Sequence, residues 1–228
     1  MTPSGNPLIM LVDIFRSPSD CFAALYQRSL WGWQTYLVLM ITPFLFWGAY
    51  FDNVNFEWLR QALQAQLTSA SPTQLELLQP DPLMASEIIS DLVGRTLTIL
   101  TLALWFRLAT KPVAPQMGYW KWFAASSVVL FPAVIGDLAS YVSLLLKHGQ
   151  VMNYAADLNS LNGLIKLPLT SDWAQFAGAF PLLLPWYIVL GYTAVGTWTQ
   201  LERGQVLVIA TLPWLAFYLI WALFIGLS

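Results

Sequence analysis

From Trp120 to Leu146 almost every residue is apolar or small, and one carboxylate, Asp137, sits in the middle of the run. A helix that crosses the hydrocarbon of a bilayer needs about 20 mostly apolar residues. Five stretches meet that need, at about residues 31–51, 88–109, 119–146, 174–198 and 206–227. The chain is 57% hydrophobic and only 10% charged, where an ordinary soluble domain carries about 25% charged residues. Too little polar surface is left to keep such a chain in water. The expectation is an all-α integral membrane protein: one membrane domain over residues 1–228, folded as a five-span helix bundle. Trp31, Trp33, Trp105, Trp120, Trp122, Trp173 and Trp198 lie near the ends of these stretches. An indole has an apolar body and one N–H for the wet side, so they read as an aromatic belt.

Lys and Arg set the orientation. Arg16 and Arg28 precede the first span, Arg107, Lys111 and Lys121 fall between the second and third, and Arg203 lies between the last two. The other side holds Arg60, Lys147 and Lys166 among the acids Asp52, Glu57, Glu76, Asp81, Asp157 and Asp172. The positive-inside rule places the N-terminus in the cytoplasm and the C-terminus outside.

Residues 1–30 form a leader. "PLIMLV" is too short for a secretory signal and lacks a basic flank and a cleavage site. Leu8, Leu11, Val12 and Phe15 recur at helical spacing. Ser17 is placed to cap a second short helix, with Pro18 at its first position and Phe22, Leu25 and Tyr26 on one side. One reading is an interfacial helical pair on the inner leaflet, with Arg16 and Arg28 toward anionic headgroups. The other is a leader packed on the bundle. The outer loop, Asp52 to Ser86, carries Phe56, Leu59, Leu63 and Leu67 at helical spacing, then a capping-box pattern at Ser71–Gln74. It reads as a helical cap, or as a partner-binding surface.

Prolines punctuate four spans, at Pro43, Pro132, Pro181, Pro185 and Pro213; the second span has none. Neighbouring helices re-satisfy the carbonyls that such prolines free, although broken helices also line the sites of some transporters. The second span carries Asp91, Gly94, Arg95 and Thr98 on one face, and the third carries Ala133, Gly136, Asp137 and Ser140 at the same spacing. Stripes of small residues mixed with charge suit close helix contact in lipid. Counting about 1.5 Å per residue from the outer ends puts Arg95 and Asp137 at similar depth. An ion pair between them, with Asp91 as second acceptor, is the economical arrangement, because either charge alone would be costly. It serves either to fix register or as part of an ion path.

Signs of catalysis are lacking. No G-x-S-x-G or H-E-x-x-H occurs, and no carboxylates pair as acid and base. One cysteine and one histidine argue against a disulfide or a His/Cys metal site; His148 reads as an exposed loop residue beside Lys147. No catalytic residue, cofactor or metal ligand is assigned. A net charge of −2 without a basic tract argues against nucleic acid. Residues 154–167, "YAADLNSLNGLIKL", are polar enough for a binding loop, but asparagines there more often make turns and caps.

Two stretches, "IFRSPSDCFAAL" and "GYTAVGTWTQLERGQVLVIATLPWLAFYLIW", resemble the Yip family, membrane proteins named as interactors of Ypt/Rab GTPases, and within it the bacterial branch. There a P-x-x-x-F segment precedes a five-span bundle, and an R-G link precedes a last helix containing proline. Pro18 and Phe22, then Arg203, Gly204 and Pro213, stand at the matching positions. The Asp-Leu-Tyr-Gly-Pro signature of eukaryotic members is absent. The resemblance implies a non-enzymatic protein of the bacterial inner membrane that works in the bilayer with a membrane-protein partner or as a homo-oligomer. Two function classes follow. A scaffold or accessory subunit would be packed dry around its charges; a small transporter or permease-like subunit would need a hydrated cavity near Arg95 and Asp137.

Overall fold

The computed structural model describes residues 3–66, 78–146 and 149–227. Leu67, the Ser71–Gln74 capping box, Lys147 and His148 fall outside these residues, so the expectations made for them rest on sequence.

Helix α1, Pro7–Arg16, starts where the Asn6 side chain accepts the Ile9 N–H at 2.8 Å, with proline in its first turn. Its end is set by Pro18, which opens α2, Pro18–Gln27. Ser17 stands at the N-cap position, as the sequence suggests, but its hydroxyl does a different job. It donates to the Asp20 carboxylate at 2.7 Å and accepts no backbone N–H. Then come α3 (Trp31–Asn53), α4 (Phe56–Gln66), α5 (Pro80–Thr110), α6 (Tyr119–Leu130), α7 (Ala133–Leu146), α8 (Asn153–Ala156), α9 (Leu161–Ile165), α10 (Ala174–Ala179), α11 (Leu184–Trp198) and α12 (Arg203–Leu227). Among the described residues, β-pairing is confined to two isolated bridges.

Among the described residues, four helical stretches are long and apolar enough to cross a membrane: Trp31–Asn53, Pro80–Thr110, Tyr119–Leu146 and Arg203–Leu227. The third is interrupted between α6 and α7, at Phe131 and Pro132. The stretch expected as the fourth of five, residues 174–198, is broken into α10 and α11 by Phe180–Leu183. Pro181 has no N–H to continue a helix. The 15 residues of α11 rise only about 22 Å, short of the roughly 30 Å of hydrocarbon. The backbone at the break is nevertheless bonded. The Leu161 N–H donates to the Phe180 carbonyl at 2.8 Å, and the Leu182 N–H donates to the Asn159 carbonyl at 2.9 Å. Ser160 and Pro181 lie between them as an antiparallel bridge.

The chain divides into two compact units. The first comprises Met1–Met40, Gly94–Pro132 and Leu183–Ile220; the second comprises Ile41–Val93, Ala133–Leu182 and Trp221–Ser228. The cuts fall inside α3, α5 and α12, so each of these helices contributes to both. Charge divides with them. By sequence the first unit has seven Lys/Arg against three Asp/Glu, and the second has three against nine.

The core of the first unit is aromatic. Trp122 is fully buried, with its ring centroid 4.9 Å from Trp198 and 5.5 Å from Phe106. Phe22 meets Trp198 edge-on at 6.3 Å, and the Trp198 indole N–H donates to the Phe22 carbonyl at 2.8 Å. Trp122 and Trp198 are therefore core residues and not part of the expected belt. Trp33, Trp120 and Trp173 keep belt-like exposure. In the second unit Phe46, Trp47, Tyr50, Leu59, Leu63, Leu78, Leu144, Met152 and Ala156 form one buried cluster. There α4 turns Leu59 and Leu63 inward, the face its periodicity predicts. Large apolar side chains remain exposed along α5 and α12, among them Leu97, Leu104, Leu108, Leu219, Leu223 and Phe224. Apolar surface that extensive marks a lipid contact.

Candidate functional site

The leader docks within the first unit. Met10 and Ile14 of α1, and Cys21, Phe22, Ala24 and Leu25 of α2, are buried, with α2 lying on α11 and α6. Of the apolar stripe read from sequence, Leu8 and Val12 are exposed, Leu11 is half-buried, and Phe15 is partly exposed with its ring 6.2 Å from Phe131 and 6.5 Å from Trp186. The leader thus packs on the bundle with one face and presents a second apolar face outward. Pro18 opens α2, and Phe22 is its anchor. Arg16 and Arg28 are exposed, with the Arg28 guanidinium 4.8 Å above the Trp31 ring. Lys121 does the same for Tyr26, its ammonium 4.5 Å from the ring and donating to the Tyr26 carbonyl at 3.3 Å. Burial, with Asp13 adding to it, pushes the Cys21 thiol up to about 12.

The second unit holds the acids. Asp137, on α7, is buried and accepts a hydrogen bond from the Thr42 hydroxyl of α3. Asp91, on α5, accepts from the Trp47 indole N–H at 2.8 Å. Glu87, one turn earlier, accepts from the Asn153 amide at 2.5 Å. Each carboxylate therefore has a neutral donor supplied by another element. The Gly136–Ser140 stripe of α7 serves the 157–160 segment: a Cβ at Gly136 would stand 2.5 Å from the Asn159 side chain, and Ser140 accepts the Leu158 N–H at 2.8 Å. On α5, Gly94 faces open space. Between α9 and Leu167, Asn162 is buried and bonds both backbone groups of Leu167. The polar 154–167 loop is built by such caps and turns.

Arg95 lies in the first unit, where its guanidinium donates to the Leu39 carbonyl at 3.0 Å. The Trp105 indole N–H donates to the Ile209 carbonyl at 2.8 Å. Sequence reasoning picked out Asp91, Arg95 and Asp137 but missed Thr42, Trp47, Asn153 and Trp105. A hydroxyl and an indole inside an apolar span were the available signals for the first two. Asn153 carried none, because its loop is placed by tertiary contacts.

The three carboxylates accept from a hydroxyl, an indole and an amide, each on another element. Among the described residues no three His, Cys, Asp or Glu side chains gather as a metal site. No curated protein and no solved structure matches the chain. The family model of the Yip1 domain matches residues 12–224, nearly the whole chain, and the stretches quoted above lie inside it. A membrane protein by its helices, the chain belongs to the Yip1 domain family.

Proposed function

We propose that this protein is a non-enzymatic, five-span protein of a bacterial inner membrane that binds or organises other membrane components, as a scaffold or accessory subunit. The observation that carries the reading is the way its acids are held. Thr42, Trp47 and Asn153 engage Asp137, Asp91 and Glu87 directly, as in a dry structural contact. A transport path would keep such groups free to bind and release an ion. We also propose that Arg95 pairs with Asp137, with Asp91 as second acceptor, on the strength of the matched stripes and depths in the sequence. The partner is a second membrane protein or another copy of this chain.

In this reading α10 and α11 together make a broken fifth crossing. Irregular backbone is tolerated at membrane depth where protein buries and bonds it, and the bonds from Asn159 and Leu161 do this. The N-terminus lies in the cytoplasm, in keeping with the positive balance of the first unit and the negative balance of the second. Arg16 and Arg28 then stand at the inner headgroups, with Leu8, Val12 and Phe15 in the interface.

Affinity purification in mild detergent, with mass spectrometry of what comes along, tests the function. A reproducible membrane-protein partner or a stable homo-oligomer supports it. A monodisperse monomer that moves an ion in liposomes overturns it. A reporter active only in the cytoplasm, fused after Ser228, tests the topology. Silence is expected, and strong activity would mean an even number of crossings.

A further inference from the structure

Helices α3 and α12 each contain an internal proline, Pro43 and Pro213. In a helix each N–H bonds the carbonyl four residues back, and proline has no N–H. Pro43 therefore leaves the Leu39 carbonyl without its helix donor, and Pro213 does the same to Ile209. These are the two carbonyls that Arg95 and Trp105 reach. Both donors sit on α5, which has no proline between Leu83 and Thr110. They are ten residues apart, which is about 15 Å along the axis and about 80° around it. One helix without an internal proline thus serves two proline-containing neighbours from two faces.

We propose that Pro43 and Pro213 are latched hinges and that α5 carries the latches. One guanidinium N–H of Arg95 is then a latch on backbone, and Trp105 is a positioning residue for α12. A groove of about 370 Å³ lies beside the second latch, between Gly94, Leu97, Thr98, Thr101 and Leu102 of α5 and Pro213–Tyr218 of α12. With the latch closed, the walls of that groove are held at fixed spacing. With it open, α12 is free to bend at Pro213. The proposal is independent of whether the protein is a scaffold or a transporter.

The test is a cycle of Trp105→Phe and Pro213→Ala, in a Cys21→Ala background with spin labels at the exposed positions Leu97 and Phe217. Trp105→Phe keeps the aromatic body and removes the donor. With Pro213 present it should broaden and lengthen the label-to-label distance and lower the melting temperature by roughly 2–12 °C, as expected for an orphaned carbonyl in a chain of this size. With Pro213→Ala, the new N–H reclaims the Ile209 carbonyl, and Trp105→Phe should then change either readout little. If Trp105→Phe alone fails to fold while the double variant folds, the proposal stands. Equal effects in both backgrounds, including equal failure to fold, would show that Trp105 acts by packing and would overturn it. So would an unchanged distance in both.

Discussion

Adding one methyl group at either of two glycines of α3 should have opposite effects. Gly32 is buried against α6: a Cβ there would stand 2.3 Å from the Ala124 Cβ and 2.6 Å from its Cα. Carbon atoms in contact prefer about 3.5–4.0 Å, so α3 and α6 would have to part locally by more than an ångström. Over-packing of that kind typically costs about 1–3 kcal/mol. At Gly48 a Cβ would meet nothing within 4 Å. There alanine should stabilise the helix by about 0.5–1 kcal/mol, since it loses less backbone freedom on folding. For a chain of this length each kcal/mol moves the melting temperature by about 2–4 °C. Thermal unfolding in detergent, followed by intrinsic fluorescence, should show Gly32→Ala falling by roughly 2–12 °C and Gly48→Ala holding or rising. Ala124→Gly should rescue Gly32→Ala only in part, because the close approach includes the Ala124 backbone. Equal behaviour of the two variants, or full rescue, would refute the packing of α3 on α6.

On the proposed pairing, Asp137→Asn and Arg95→Gln should each lower stability, by up to about 3–5 kcal/mol where the charge left behind is buried; the double variant should recover much of the loss, and simple additivity in the melting temperatures would show that the two do not pair. Cys21, held at about 12 against an ordinary value of 9.0, should react with thiol reagents at pH 8 about a thousandfold more slowly than an unfolded control, since the thiolate is the nucleophile. Because its folded-state value is raised, the stability it contributes is complete below about pH 9 and is lost as pH rises toward 12. Labelling at exposed-thiol rates, or by an impermeant reagent from the outside, would contradict the docked cytoplasmic leader.

The spans that were legible in sequence were those whose apolar runs stand alone. Residues 31–53, 80–110 and 203–227 form helices close to the limits that hydropathy suggests. The stretch 174–198 was legible as apolar but not as two helices, because hydropathy does not register where backbone hydrogen bonds go. Pro181 breaks it, and the remedy comes from Asn159 and Leu161, which no local pattern points to. The leader was half legible. Helical spacing found the stripe Leu8, Leu11, Val12 and Phe15, of which Leu11 is half-buried, but full burial falls on Met10 and Ile14, because a surface that faces lipid can be as apolar as one that faces protein. The charged residues stood out as rare, yet Thr42 and Trp47, which donate to Asp137 and Asp91, are common residue types in membrane helices. Composition gave them no emphasis.

The bond from Trp198 to Phe22 joins residues 176 positions apart. During synthesis α2 leaves the ribosome long before α11 exists to receive it. At about 5–20 residues per second the wait is roughly 10–35 s. Phe22 and Leu25 must spend that time somewhere other than their final place, and an amphipathic segment flanked by Arg16 and Arg28 has a ready refuge on the nearby membrane surface. The α2 segment is thus translated well before its partner on α11 is available, and a chain stalled before Trp198 would display part of its apolar surface to the cell's quality-control machinery.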